Sequence, residues 1–501
     1  MLKKIRVTVA IIVFTLITIL FLDFTGTAHT WLGWMAKIQF IPALLALNAG
    51  IVIALIIITM VFGRLYCSVI CPLGIFQDIF SRIAAHRKKY RFSYSRPLTW
   101  LRYGILIIFL ISLIAGIGSL VSLLEPYSAY GRIVSNLFAP LYMLGNNLLA
   151  CIADKADSYA FYTVDIWIKS IVTFLVAAIT FIILAILSWR NGRTYCNTIC
   201  PVGTLLGIFS RYSLYKPRFD TSKCNGCKLC ARNCKASCID PVKHSIDYSH
   251  CVTCFDCIET CHQKAIVYER RCSRSSSRHD NDERLKASKE QIDNARRSFL
   301  SASAMLATSA VMSARKKKVD GGLAFISNKE IPSRSTNIVP PGAQSIRHFT
   351  RHCTGCQLCV SACPNNVLCP SASLDTFMQP QMSYERGYCR PECTKCSEVC
   401  PAGAMHHITR ADKSATQIGH AVWIRKNCVV ITGKVHCGNC ERHCPAGAIQ
   451  MVAIEPGDND SLRIPVINTE RCIGCGACEY LCPSRPFSAI YVEGHQMHRT
   501  I

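Results

Sequence analysis

Long apolar runs are confined almost entirely to residues 1–212, while residues 213–501 hold most of the cysteines. Four runs are long enough to cross a bilayer as helices: residues 7–22, 41–62, 103–124 and 171–189. The second and third have 22 residues each, about 33 Å as helix, which matches the hydrocarbon thickness. A fifth run, 134–152, is interrupted by Asn136, Pro140, Gly145, Asn146 and Asn147 and reads as a helix lying at the interface or covering the bundle. Basic residues flank alternate ends. Lys3, Lys4 and Arg6 precede the first run, Arg82, Arg87, Lys88, Lys89, Arg91 and Arg96 follow the second, and Arg190, Arg193, Arg211, Lys216 and Arg218 follow the fourth. By the positive-inside rule these segments are cytoplasmic, an agreement a fifth span would break. No small-residue cleavage site follows the first run, which argues against a cleaved secretory signal there.

An internal repeat sits on this frame. Residues 63–82 (GRLYCSVICPLGIFQDIFSR) and 192–211 (GRTYCNTICPVGTLLGIFSR) agree at 12 of 20 positions. Each copy begins at the cytoplasmic end of an even-numbered run, so Cys67, Cys71, Cys196 and Cys200 are expected to converge. Within each pair the thiols stand about one helical turn apart. Four such thiols suit a cluster, another metal or a dithiol–disulfide cycle.

The remaining cysteines fall into register. Cys224, Cys227, Cys230 and Cys234 have gaps of two, two and three residues, as do Cys251, Cys254, Cys257 and Cys261. The spacing returns at Cys353, Cys356, Cys359 and Cys363, and at Cys472, Cys475, Cys478 and Cys482. This is the bacterial ferredoxin pattern for [4Fe–4S] clusters, in which the fourth cysteine ligates the other cluster. Disulfide frameworks and zinc sites do not repeat such spacing. Crossover assigns Cys224, Cys227, Cys230 and Cys261 to one cubane and Cys251, Cys254, Cys257 and Cys234 to the other, with Cys238 near enough to compete. Lys235 and His262 replace the usual proline after the closing cysteine, and CIETCH at residues 257–262 lacks the spacing of a haem site. Two irregular runs, Cys389, Cys393, Cys396, Cys400 and Cys428, Cys437, Cys440, Cys444, lie between the last two regular ones. Nested pairing is expected there: Cys353, Cys356, Cys359 with Cys482; Cys472, Cys475, Cys478 with Cys363; Cys389, Cys393, Cys396 with Cys444; and Cys428, Cys437, Cys440 with Cys400. Six clusters result, leaving Cys151, Cys272 and Cys369 unassigned.

Residues 269–295 are a polar linker. Arg296-Arg297-Ser298-Phe299-Leu300 and the Ala/Ser-rich stretch after it form a Tat-type export signal, with Ser313-Ala314 as a cleavage site or the segment retained as an anchor. The expected organisation is a four-span membrane domain (1–212), a two-cluster module (213–268), a linker with the twin-arginine segment 296–314 (269–345) and a four-cluster module (346–493). The fold class is a membrane α-helical bundle of about four spans with two α+β ferredoxin-like modules.

The formal charge of +25, from 56 basic and 31 acidic residues, does not signal nucleic acid. Each cluster with its thiolates adds about two negative charges, and many of the cations flank apolar runs. Beyond the third run, Glu125, Tyr127 and Arg132, with His29 on the same side, are candidates to bind a quinol ring. With its CxxxCP elements at Cys67 and Cys196, residues 1–268 resemble NapH-type membrane ferredoxins. Residues 290–493, with the twin-arginine leader and four clusters, resemble MauM/NapG ferredoxins, as if two subunits of a quinol dehydrogenase were fused. The resemblance implies menaquinol or ubiquinol as donor, a periplasmic reductase or cytochrome subunit as partner, and the bacterial inner membrane as location. It further implies a cytoplasmic first module and a periplasmic second, with terminal chemistry carried out by another protein. A redox accessory or assembly factor for a respiratory metalloenzyme is the alternative, since the CxxxCP thiols suit metal reduction or redox sensing.

Overall fold

The computed structural model describes residues 1–23, 26–87, 92–95, 97–157, 160–271, 318–319, 324–325, 329–455 and 461–501. The twin-arginine segment 296–314, Cys272 and the loop cations Lys88, Lys89, Arg91 and Arg96 lie outside the described residues. Five longer apolar helices build the first half: α1 (Leu2–Leu22), α2 (Ala49–Phe62), α3 (Thr99–Ala115), α4 (Pro126–Lys155) and α5 (Ile171–Asn191).

Four of these run from the first cysteine-rich module to the second. Lys3, at the start of α1, pairs with Asp256 and Glu259, and Gly26 beyond its end abuts Lys395. Ala46, before α2, abuts Gly403, and Gly63 after it abuts Thr253. Arg102 of α3 bonds Ser249, and Gly116 beyond α3 meets Arg351. Lys169, before α5, donates to the Val360 carbonyl at 2.7 Å, and Gly192 after it abuts Lys235. The two modules therefore cap opposite ends of the bundle. Its flanks are apolar and open: Ile107, Ile111 and Ile114 of α3 are 56, 59 and 83% exposed, a surface suited to lipid rather than water.

By length and apolarity three helices can cross a membrane, α1, α4 and α5. The expected runs 41–62 and 103–124 are both broken. Leu47 adopts φ +54° and Asn48 caps α2 by accepting from the Ile51 N–H, so Phe40–Leu45 is a separate short helix. Gly116, at φ +74°, ends α3, and the N–H groups of Gly116 and Ile117 return to the Leu113 and Ser112 carbonyls, a left-handed stop that glycine permits. The chain then resumes helix at Gly118–Leu124. The interrupted run 134–152 lies within α4. A π-helical stretch, Val134–Phe138, lets Asn136 donate to the Arg132 carbonyl and to Gln357, both at 2.8 Å. Asn146 and Asn147 bond the backbone of Tyr162 and Val164, on the segment leading to Lys169. The first half of α4 thus meets the second module, the second half meets the segment before α5, and the whole helix is long and apolar enough to cross a membrane.

The modules are antiparallel two-stranded ribbons with helices of four or five residues before most closing cysteines. Tyr215–Phe219 pairs with Ile266–Arg270, Ile449–Ala453 with Arg463–Ile467 and Thr416–Trp423 with Ile490–Thr500. Buried thiols form much of each small core.

The repeat seats the first module. Gly63 and Gly192 have φ +77° and +70°, and a Cβ there would fall 2.8 Å from the Thr253 hydroxyl and against the Lys235 carbonyl. Between them Asp78 bonds Arg193 at 2.7 Å, Lys235 at 2.9 Å and Arg6 at 3.1 Å. Lys235, standing where a proline was expected, also reaches Asp256 at 3.1 Å. Burial alone would raise the Asp78 carboxyl, but Arg193 and Lys235 outweigh it and hold the group well below its ordinary 3.8. A depressed carboxyl stabilises the fold above its unfolded pKa and loses that contribution as pH falls toward its folded value. Asp78→Asn strands buried cations and is expected to destabilise the docked protein by about 3–5 kcal/mol at pH 7. Thermal unfolding in detergent should show this loss, together with a shallower decline of stability below pH 4 than in the parent; an unchanged melting profile refutes the assignment.

Candidate functional site

The cysteines form compact groups, and none of the described ones is in a disulfide. Cys224, Cys227, Cys230 and Cys261 line one cavity of the first module. Cys234, Cys251, Cys254 and Cys257 line a second, so the crossover there follows the expected pairs. Cys238 lines the second cavity too, with its sulfur 3.5 Å from that of Cys234.

The second module departs from the nested pairing. Cys400 lies within electrostatic reach of Cys353, Cys356 and Cys359, and Cys363 of Cys389 and Cys396. Cys444 neighbours Cys472, Cys475 and Cys478, and Cys482 lines a cavity with Cys428, Cys437 and Cys440. The first run therefore exchanges its last ligand with the second, and the third with the fourth. Helix packing is the cause. Leu358–Ala362 packs on Lys395–Val399, and Asn439–Arg442 on Ala477–Leu481, so each closing cysteine reaches only the neighbouring run. The two pairs meet where the Cys389 N–H donates to the Cys475 carbonyl at 2.9 Å.

Cys67, Cys71, Cys196 and Cys200 converge between the modules, each about 4% exposed. Two arginines at equivalent repeat positions clamp them crosswise. Arg193 donates to the Cys67 carbonyl at 2.6 Å. Arg64 donates to the Cys196 carbonyl at 3.2 Å and points at the Cys67 sulfur at 3.8 Å. Arg64 also bonds Asn197 at 2.8 Å and the Ser249 carbonyl at 3.1 Å, two residues before Cys251. Gln77 and the Gly203 N–H donate to the Cys196 and Cys200 sulfurs, both at 3.3 Å. Arg64 and Arg193 are fully buried. Asp78 neutralises Arg193, whereas every hydrogen-bond acceptor of Arg64 among the described residues is uncharged or sulfur.

Toward the second module the repeat tyrosines Tyr66 and Tyr195 sit beside these thiols. Tyr66 also neighbours Glu125, and Tyr195 neighbours Arg132. Tyr127 neighbours both Tyr66 and Cys356, and Gly131 packs on the Cys356 carbonyl. Glu125, Tyr127 and Arg132, expected in an open quinol cleft, are only 0, 1 and 1% exposed. Ser128 donates to Glu125, Arg132 to the Ser122 carbonyl at 2.7 Å, and the loop around Cys356 covers them. The helix break at Gly116 brings that loop down, so the three residues line a sealed junction rather than a lipid-facing pocket. His29 is likewise buried and bonds Asp23 at 3.0 Å. Cys369 is buried near Lys169, and Cys151 is exposed.

These groups fit iron–sulfur clusters. Among the described residues no three His, Cys, Asp or Glu side chains gather tightly enough for a single metal ion; the thiols surround spaces instead. Burial pushes Cys230, Cys440 and Cys196 up to about 11 and Cys356 and Cys475 to about 12, so without a metal they stay protonated. Backbone N–H groups of Ala265, Ala448 and Ala489 donate to the sulfurs of Cys261, Cys444 and Cys482 at 3.2–3.3 Å, which favours the thiolate. Sequence reasoning missed Arg64, Arg193 and Asp78; the paired Gly-Arg that opens each repeat copy was the available signal.

The pairing is open to test by iron content and EPR. Cys400→Ala is expected to remove the cluster held by Cys353, Cys356 and Cys359, lowering iron by up to about four per chain, and Cys482→Ala to disturb only the group with Cys428. If Cys482→Ala instead abolishes the signal lost in Cys353→Ala, the nested arrangement holds.

Comparison with known proteins agrees with this geometry. A profile described as a 4Fe-4S binding domain matches residues 45–93 and again 173–221, each containing one CxxxCP copy. A 4Fe-4S dicluster domain matches residues 435–485, and a further 4Fe-4S binding domain matches 353–367. The ferredoxin-type protein NapF of Escherichia coli K12 is 30% identical over 179 residues, 36% of this chain and 99% of NapF. The methylamine utilization ferredoxin-type protein MauM of Paracoccus denitrificans is 31% identical over 168 residues, 32% of this chain and 73% of MauM. An uncharacterized protein of Methanocaldococcus jannaschii, MJ0749, is 39% identical over 74 residues, 15% of this chain, which spans only 29% of that protein's length. No solved structure matches. The chain belongs to the family of ferredoxin-type iron–sulfur electron-transfer proteins that includes NapF and MauM.

Proposed function

We propose that this chain is a membrane-embedded conduit that takes electrons from quinol and delivers them to a periplasmic reductase or cytochrome partner. One observation carries the reading: six ferredoxin-type thiol groups and the CxxxCP quartet succeed one another from the outer face of one module, through the bundle, to the far module. When bound, [4Fe–4S] clusters accept and release single electrons. The residues do the rest. Six groups of four cysteines each hold one cluster, and Cys67, Cys71, Cys196 and Cys200 hold a seventh, as the paired match to a 4Fe-4S binding domain supports. Arg64 places positive charge beside that quartet, stabilising the anionic, electron-rich state, while Arg193, paired with Asp78, holds the Cys67 carbonyl. Lys169 donates to the Val360 carbonyl and Lys329 to those of Tyr480 and Cys482, which holds cluster loops in place.

Location follows from charge and surface. The apolar flanks suit lipid, with α1, α2, α3 and α5 as crossings thickened by the short helices Phe40–Leu45 and Gly118–Leu124. The basic segments around Lys3, Arg82 and Arg193 gather at the first-module end. In the bacterial inner membrane the positive-inside rule makes that end cytoplasmic and the second module periplasmic. The twin-arginine segment suits export of a module already carrying its clusters. For quinol, the supporting feature is a cleft of about 230 Å³ between α1 and the helix Pro72–Arg87. Val7, Ala10, Ile11 and Ile79 form its apolar wall, and Asp78, Lys235 and Asp256 its polar end, the composition a quinol head with an apolar tail requires.

Anaerobic menaquinol should bleach the cluster absorbance. Ala10→Trp, which fills the cleft, is expected to slow that reduction by about tenfold or more (roughly 1.4 kcal/mol of barrier) while dithionite still reduces the protein fully. Cys67→Ser should lower iron from about 28 per chain by about four. Normal menaquinol reduction in Ala10→Trp refutes the cleft, and four freely alkylated CxxxCP thiols that bind a lone ion favour the accessory-factor reading.

A further inference from the structure

The thiol groups of the second module have an order. The set closed by Cys400 abuts the bundle at Gly131. Its Cys359 reaches Cys396 of the set closed by Cys363. Cys389 of that set bonds Cys475 of the set closed by Cys444, which packs in turn on the set closed by Cys482. This last set differs from the others. Its first two ligands, Cys428 and Cys437, are separated by eight residues, against two or three elsewhere in the module.

The added residues are ordered. Val429–Thr432 is a helical turn anchored by Val430 at 1% exposure, and the N–H groups of Thr432 and Gly433 return to the Cys428 and Val429 carbonyls. Beyond it residues 432–436 are exposed, with Val435 at the tip 56% open. Cations surround it: Arg425, Lys426, Lys434 and Arg442 against one carboxylate, Glu441, over residues 425–443. Glu441 accepts from the Met451 N–H at 3.0 Å, and Arg442 donates to Asn439 at 2.6 Å. None of the four cations is in an ion pair among the described residues. An exposed apolar tip flanked along the chain by cations in no ion pair among the described residues, next to the last cysteine group, suits a docking face with an apolar centre and a charged rim.

We propose that the loop at residues 432–436 and its basic surround dock the acidic face of a soluble redox protein, which takes electrons from the group held by Cys428, Cys437, Cys440 and Cys482. This rests on the conduit reading and adds the place of exit and the charge of the acceptor. In the transfer, one electron leaves that group and reduces the partner's one-electron centre, with no bond made or broken. Opposite charge steers such encounters and salt screens them.

The test uses the whole protein in nanodiscs, reduced with dithionite and mixed with an acidic c-type cytochrome, a basic c-type cytochrome or the small neutral oxidant benzoquinone. The combined variant Lys426→Glu, Lys434→Glu, Arg442→Glu is expected to react about tenfold or more slowly with the acidic cytochrome at low ionic strength, and faster with the basic one. The gap should close near 0.5 M salt, where screening is about complete, with benzoquinone rates unchanged. Should the triple variant lose iron, Val435→Asp probes the same face and should slow only the acidic cytochrome. Equal rates of parent and variant with the acidic cytochrome overturn the proposal. Failure of the conduit reading looks different: parent and variant would differ with the acidic cytochrome as expected after dithionite, yet neither would be reduced by menaquinol.

Discussion

A buried guanidinium without a counter-charge is among the costliest arrangements a protein can hold, and Arg64 is in no ion pair among the described residues. It is fully buried, and its acceptors are Asn197, two backbone carbonyls and the Cys67 sulfur. Its repeat counterpart Arg193 spends its charge on Asp78, whose position in the other copy is Gly207. The pseudo-symmetric quartet therefore has one cation with no ion pair among the described residues, facing thiols of which burial raises Cys71, Cys196 and Cys200. An anionic metal–thiolate centre held by Cys67, Cys71, Cys196 and Cys200 would remove both difficulties together, since metal would replace the thiol protons and the negative charge would meet the Arg64 guanidinium. The same residues bond the Ser249 carbonyl and tie to Lys235 through Asp78, so the charge that suits the quartet also fixes the first module to the bundle.

Close packing then joins the two modules to the bundle. Glycine allows the approach where a Cβ would not, at Gly63 and Gly192 against the first module and at Gly116 and Gly131 against the second. Between the quartet and the second module lie Tyr66, Tyr195, Tyr127, Glu125 and Arg132, a junction of aromatic rings, one buried carboxyl and one buried guanidinium. Electron transfer needs donor and acceptor groups brought near and held, and side-chain packing would do both along the proposed path.

The cysteine registers, the repeat and the alternation of basic flanks were legible because each is a local pattern. The first module's crossover followed from spacing alone. The second module's did not, since spacing tells that last ligands are exchanged and not with which run; that depends on which short helices pack. Residues 103–124 read as one apolar segment because Gly116 and Gly118 leave hydropathy intact while ending the helix, and Leu47 hides a break in the same way. That break lowers a module loop onto Glu125, Tyr127 and Arg132, which changes an apparent interfacial pocket into a closed junction. Lys235 looked like a defect in a ferredoxin motif and is instead the cation shared by Asp78 and Asp256.

Continuity through the bundle is the central claim, and sidedness tests it most directly. Protein oriented in sealed vesicles, with the first module outside, is exposed to a membrane-impermeant reductant and followed by cluster absorbance. Complete bleaching, reduced in Cys196→Ser to the share held outside, is the predicted result. Bleaching confined to the outer module in the parent protein, or complete bleaching in Cys196→Ser, would contradict it.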